Sequence, residues 1–286
     1  MSEQGKVRER YASPRFLAQY LMMEWGDKLL PKGPWEGPPD DKRMPVVPPR
    51  PGRGEALREL FQPGAFYKDL ADQILAWSGP LRPQRICDVG GSTGRLMAEL
   101  SAGMQKSWAS QPGELLLVEQ SEVFCAWARK LLQGEQDEHT CWVPLPRYPD
   151  EAHFERVDLS SLRATTLPVI KGLEICCASG EEVPRPDGYF PLVICSNVID
   201  RHPEPKSFVE RLTRLVAPDG HLVLASPFDF ELQFTPQQSR WVHDLEDVLP
   251  VGWGALEKTE IAYVHRKSRW DYPCFISQVI CAGRSA

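Results

Sequence analysis

Two short stretches hold the residues whose types and spacing could do chemistry. The first, "CDVGGSTGRL" at 87–96, sets Asp88, Gly90, Gly91, Ser92 and Gly94 in one turn between an apolar run and an amphipathic one. It can be read in two ways. As G-x-S-x-G it is an elbow that exposes a nucleophilic serine, and Ser92, Asp200 and His265 stand in chain order for a triad. As a glycine turn between strand and helix, it lets backbone N–H groups approach an acceptor on a nucleotide-like cofactor. The second stretch, "SNVIDRHPEP", carries a buried strand into Asn197, Asp200 and Arg201, bringing an amide, a carboxylate and a guanidinium together.

The apolar pattern predicts the elements that must position these groups. Runs "RICDV", "ELLLVEQ", "GLEICCAS", "PLVICSNVI" and "HLVLASP" alternate with helical stretches at 95–104, 123–133 and 205–216. Such alternation implies an α/β fold with a mostly parallel, doubly wound sheet that binds ligands at the carboxyl ends of its strands. The tail "TEIAYVHRKSRWDYPCFISQVICAG" has two strand patterns and no helix between them, which predicts an antiparallel C-terminal hairpin. Upstream, Phe16, Leu17, Tyr20, Leu21 and Trp25 recur at helical spacing, with Ser13 placed to cap the helix and Pro14 at its first position. Residues 31–52 contain eight prolines, which excludes regular helix or central strand. A second helix is expected from about 55 to 77. The chain thus divides into a helical, proline-rich extension and lid at 1–54 and an α/β domain at 55–286, with 135–171 inserted before the third strand.

Position and spacing bear on the two readings of the glycine turn. A hydrolase elbow follows several earlier strands, whereas a helix and a proline-rich strap precede this one. A dinucleotide fingerprint would need glycines where Ser92 and Arg95 stand. The pattern Asp88, Gly90, Ser92, Gly94 resembles the D-x-G-x-G-x-G loop of class I S-adenosylmethionine-dependent methyltransferases, with serine in place of one glycine. That resemblance implies a Rossmann-like fold and S-adenosylmethionine as cofactor, held by Asp88, Gly90, Gly91, Ser92 and Gly94. Glu119 at the end of the second strand, with Gln120, is placed to accept the ribose hydroxyls, and Ala178 and Ser179 resemble the segment lining the adenine.

The N-x-x-D-R motif of "SNVIDRHPEP", together with "SPRFLAQYL", "LVLASPF", "FTPQQSRW" and "VHRKSRWDYPCFISQVICAG", resembles the mercaptohistidine methyltransferases of ovothiol biosynthesis. These methylate the ring nitrogen nearest the side chain of 5-thiohistidine, and a related branch methylates histidine in proteins. The resemblance places Asn197 and Asp200 at the imidazole, Asn197 also beside the cofactor, and Tyr263 where a tyrosine of the protein-histidine branch reaches the acceptor. A neutral imidazole has one N–H and one lone pair, so a carboxylate that accepts the remote N–H selects the reactive tautomer and offsets developing positive charge. Tyr11, Arg15 and Tyr20 on the first helix, with Arg201, could recognise the amino-acid part of the substrate.

Bulk properties narrow the partners. A net charge of −6 and a pI near 5.6 argue against nucleic acid. No apolar run reaches the roughly 18 residues of a membrane span, and the charged N-terminus points to a cytoplasmic address. Eight cysteines without a C-x-x-C pair read as mostly buried, reduced thiols, and no metal site is expected. The expected partner is a small-molecule acceptor, thiohistidine. A peptide or protein histidine, another azole or thiol, a non-enzymatic cofactor-binding scaffold and a serine hydrolase stay open as alternatives.

Overall fold

The computed structural model describes residues 13–29, 64–108, 112–134, 140–148, 151–165, 167, 169–265 and 273–284. Among the described residues six α-helices are α1 (Pro14–Leu29), α2 (Ala65–Ser78), α3 (Arg95–Trp108), α4 (Glu122–Leu132), α5 (Leu159–Thr165) and α6 (Pro205–Leu215). The strands are β1 (Arg85–Val89), β2 (Glu114–Glu119), β3 (Thr140–Tyr148), β4 (Glu151–Asp158), β5 (Leu173–Cys177), β6 (Phe190–Ser196), β7 (Val216–Ser226), β8 (Trp253–Val264) and β9 (Cys274–Arg284). Seven of them form one sheet in the order β5-β2-β1-β6-β7-β9-β8. Neighbours from β5 to β7 are parallel, and β9 runs antiparallel to both β7 and β8. The order reverses between β1 and β6, the switch point at which such sheets open a crevice.

Period-two alternation sorts the strand side chains into two cores. Ile86, Leu115, Leu117, Ile194 and Val223 face α1, α2, α3 and α4, while Cys87, Val89, Leu116, Val118, Val193 and Leu224 face α6. Asp88, two residues from Ile86, therefore lies on the α1 side of β1.

Helix α1 is built into this core. Ser13 Oγ accepts the Phe16 N–H at 3.2 Å, the expected cap, and Leu21 and Trp25 are fully buried. Arg95, only 3% exposed, forks onto Asp27 at 2.6 and 2.9 Å, reaches the Glu24 carbonyl at 2.5 Å and pairs with Glu99. Its guanidinium thus ties α1 to the first turn of α3, directly behind the glycine turn.

The segment 135–171, expected only as an insertion, contains an antiparallel hairpin of β3 and β4 followed by α5. Pro144 and Pro146 hide β3 from a reading by propensity, but a two-stranded sheet has only edges, where proline is tolerated. Strand β7 starts at Val216, earlier than expected, by a register shift against β6. The described part of the second helix begins at Ala65, and the proline-rich strap and residues 55–63 lie outside the described residues. Cys87, Cys125, Cys195 and Cys281 are buried thiols, whereas Cys177 and Cys274 are exposed. Among the described residues no helix is long and apolar enough to cross a membrane.

Removing one side of a buried charge network leaves the other uncompensated, at a cost of several kcal/mol. Arg95→Ala is expected to lower the free energy of unfolding by about 3 kcal/mol, measured by urea denaturation, and to expose Trp25 fluorescence to quenching.

Candidate functional site

A cavity of about 620 Å³ lies at the carboxyl ends of β1, β2, β5 and β6. Helix α1 supplies one wall through Phe16, Tyr20 and Met23, and the C-terminal hairpin another through Tyr263 and Phe275. The glycine turn forms the floor. Gly90 has φ 75°, its N–H donates to the Val118 carbonyl at 2.8 Å, and a Cβ there would run into Val198. Only glycine fits between the turn and the 197–201 segment. Ser92 stands where the pattern usually has glycine and takes the left-handed φ of 50°. Its strain, about 1 kcal/mol, is borne because its N–H is held by Glu119 Oε2 at 3.1 Å.

Three buried carboxylates surround this turn. Asp88 is 1% exposed, and its Oδ2 has no hydrogen-bond partner among the described residues. Burial, then the charges of Glu24 and Glu119, push its proton affinity up to about 7. Glu119 accepts the N–H of Ser121 at 2.8 Å as well as that of Ser92, and burial raises it against those bonds. Gln120, Ala178 and Ser179 line the same end of the cavity, with the Ala178 N–H on the Glu119 carbonyl at 3.1 Å.

The other end is formed by the segment after β6. Asn197, at φ 55°, accepts the Ser277 hydroxyl at 2.9 Å and donates to the Tyr263 hydroxyl at 3.4 Å. Its amide therefore ties β6 to β8 and β9. Asp200 is 1% exposed; one oxygen faces Arg201 at 3.1 Å, and Oδ1 has no partner among the described residues. Burial raises its proton affinity, opposed by Arg201. Arg201 is itself drawn to Asp229, at its carbonyl and at Oδ2 (2.7 Å), and lies over the Phe234 ring. Tyr263 stacks between Phe66 and Phe275, and burial pushes its hydroxyl well up.

The structure thus brings Asp88, Gly90, Gly91, Ser92, Glu119, Gln120, Ala178, Ser179, Asn197, Asp200, Arg201, Tyr263 and Tyr20 to one cavity. Gly94 lies in the turn, its N–H on the Gly91 carbonyl, packed against Leu132 rather than lining the cavity. Tyr11 and the side chain of Arg15 lie outside the described residues. Sequence reasoning missed His202, which burial lowers and Glu181 opposes, and the acidic rim of Asp229 and Glu231. It also missed Glu24, buried under the turn. Its signal was available, since Glu24 follows Leu17 and Leu21 at i+7 and i+3 and so falls on the apolar stripe. Ser92 Oγ lies beside the buried Glu24 carboxyl and is not hydrogen-bonded to a histidine among the described residues, as a triad would require.

Residues 87–224 match the family model described as a methyltransferase domain. The chain carries a methyltransferase domain. Solved structures of similar arrangement include magnesium protoporphyrin IX methyltransferase from Synechocystis PCC 6803 with bound cofactor, at 15% identity, 100% of this chain, 98% of that chain and a TM-score of 0.47. A second is a SAM-dependent methyltransferase from Aquifex aeolicus, at 17% identity, with 79% of this chain, 97% of that chain and a TM-score of 0.44. No curated protein matches the sequence. The cavity's own geometry fits S-adenosylmethionine, the cofactor that the resemblance of the glycine turn implies. The unmet Asp88 Oδ2 can take a hydrogen-bond donor from a cationic ligand, Glu119 keeps acceptor capacity for hydroxyls, and Gly90 lets the backbone approach.

A carboxyl whose folded-state proton affinity is raised above its unfolded value, near 4, favours folding below that value and loses the advantage as pH rises through about 7. Ligand-free protein should therefore be less stable at pH 8 than at pH 5, by about 2 kcal/mol. Asp88→Asn should flatten that dependence in thermal unfolding. Ser92→Gly, which relieves the left-handed φ, should unfold at the same temperature as the parent or slightly above it.

Proposed function

We propose that this methyltransferase acts on the imidazole ring of a small histidine derivative, 5-thiohistidine, at a ring nitrogen. The observation that carries the reading is Asp200 Oδ1, a buried carboxylate oxygen at the cavity wall with no partner among the described residues. An imidazole N–H supplies the missing donor. Once that nitrogen keeps its proton, the lone pair stands on the other nitrogen, the one able to accept a methyl group. When bound, S-adenosylmethionine supplies a methyl carbon already activated by its sulfonium. The residues' task is then placement and charge compensation.

In this reading Asp88, Gly90, Gly91, Ser92, Gly94, Glu119, Gln120, Ala178 and Ser179 form the donor half of the site. Asn197 stands between the halves, its amide fixed by Ser277 and Tyr263, so that the ring meets a rigid edge. Asp200 offsets the positive charge that the ring gains and takes the N–H proton, a role that its raised proton affinity suits. Arg201 holds Asp200 and Asp229 in place, and Asp229 and Glu231 present negative charge to the substrate's ammonium. Tyr20, with Tyr11 and Arg15, recognises the rest of the amino acid. Of the 1–54 extension, α1 walls the pocket, and the 55–286 domain carries the chemistry.

The discriminating experiment offers 5-thiohistidine, histidine and histidine-containing peptides to purified protein with labelled cofactor and reads the products by mass spectrometry and NMR. Turnover of thiohistidine at ring nitrogen supports the proposal; preference for peptides, or methylation at sulfur, overturns it. Asp200→Asn should cut turnover by about 100-fold while leaving cofactor affinity within about threefold of the parent.

A further inference from the structure

Glu24, in the second half of α1 and outside the matched span, is 0% exposed and has no part in the chemistry above. A core helix does not turn a carboxylate inward without cause. The nearby guanidinium of Arg95 is spent on the Glu24 carbonyl and on Asp27 and Glu99, so no hydrogen bond from it reaches the Glu24 carboxylate. Hydroxyls reach that carboxylate instead. Thr93 donates to Oε2 and Tyr67 to Oε1 at 3.4 Å, while Trp25 Nε1–H donates to Thr93 Oγ1 at 2.9 Å. Thr93 is itself 0% exposed and follows Ser92 in the glycine turn. A relay Trp25–Thr93–Glu24 therefore pins the turn to α1, across 69 residues of chain.

We propose that Glu24 is a positioning residue of the methyl-donor site. Through Thr93 it fixes the glycine turn, and as the third buried carboxyl beside Asp88 and Glu119 it sets how readily Asp88 becomes the anion that meets a cationic ligand. This rests on the assignment of Asp88 and Glu119 to the donor. Three buried carboxyls without a cation among them do not all ionise, so the cluster retains a proton. Burial, the largest influence on each, raises both Glu24 and Asp88 to about 7.

The groups facing Glu24 are Trp25 and Asp27 on α1, Tyr67 on α2, Arg95 on α3, Asp88, Ser92 and Thr93 at the turn and Glu119 on β2. Tyr20 and Tyr263 act on Tyr67 in turn. Ligand binding that favours ionised Asp88 must tighten as pH rises through the cluster's titration. Glu24→Gln removes a neighbouring negative charge, so Asp88 ionises at lower pH. Thr93→Val removes a hydroxyl that stabilises the Glu24 anion, so Glu24 keeps its proton to higher pH and Asp88 again ionises at lower pH.

The test is calorimetric titration of the full-length protein with S-adenosylmethionine from pH 5.5 to 8.5. The midpoint of the pH dependence should fall by about one unit in Glu24→Gln and fall by less in Thr93→Val. Unchanged midpoints in both variants, or an equal loss of affinity at every pH, overturn the proposal. If Glu24→Gln does not fold, as judged by thermal unfolding, Thr93→Val decides alone: a downward shift supports the role, and no shift or an upward one ends it. Failure of the parent protein to bind the cofactor would instead overturn the donor-site assignment, and this proposal with it.

Discussion

A carboxylate taken out of water needs hydrogen-bond donors or a cation, and the cavity of this enzyme is lined by carboxylates that have too few of either. Asp88 keeps one oxygen unpartnered among the described residues, and Asp200 keeps another. Glu24 is served by hydroxyls, among them those of Thr93 and Tyr67, and Glu119 by backbone N–H groups, among them those of Ser92 and Ser121. This arrangement costs stability in the free protein and is tolerated because the rest of the fold is firm: two apolar layers on the sheet, and the Arg95 clamp between α1 and α3. In the proposed reading, the unmet oxygens are where donor and acceptor bind.

The two halves of the cavity are joined more closely than their separation in sequence suggests. A Cβ at Gly90 would overlap Val198, so the turn after β1 and the segment after β6 pack with no room for a side chain between them. Asn197 extends that rigidity to β8 and β9 through Tyr263 and Ser277. Ser92 and Asn197 both hold left-handed backbone without being glycine, one at each half. Non-glycine residues in that region persist where surrounding bonds over-determine them, and here those bonds come from Glu119 and from the Ala225 carbonyl.

Much of this was legible in the sequence, for physical reasons that differ by residue. Asp88 and Glu119 could be placed because both end apolar runs in a strand–helix alternation, and in a parallel sheet those ends share one edge. Helix α1 announced itself by period and by Ser13, yet the partner of Glu24 could not be read, since Thr93 is distant in sequence and the contact is made by tertiary packing alone. The β3–β4 hairpin was obscured by prolines, which edge strands such as these admit. Arg201 reads from the motif as a ligand for substrate, but its geometry commits it to Asp229, a residue with no motif of its own.

Two buried carboxylate oxygens, Asp88 Oδ2 and Asp200 Oδ1, are the places where the two ligands are expected to bind. A crystal structure with S-adenosylhomocysteine and 5-thiohistidine tests that most directly. The account requires Asp88 Oδ2 to gain a hydrogen bond from the cofactor product and Asp200 Oδ1 to gain one from the imidazole N–H. If both ligands seat in the cavity while either oxygen stays unpartnered, or turns to a protein group instead, the account is contradicted.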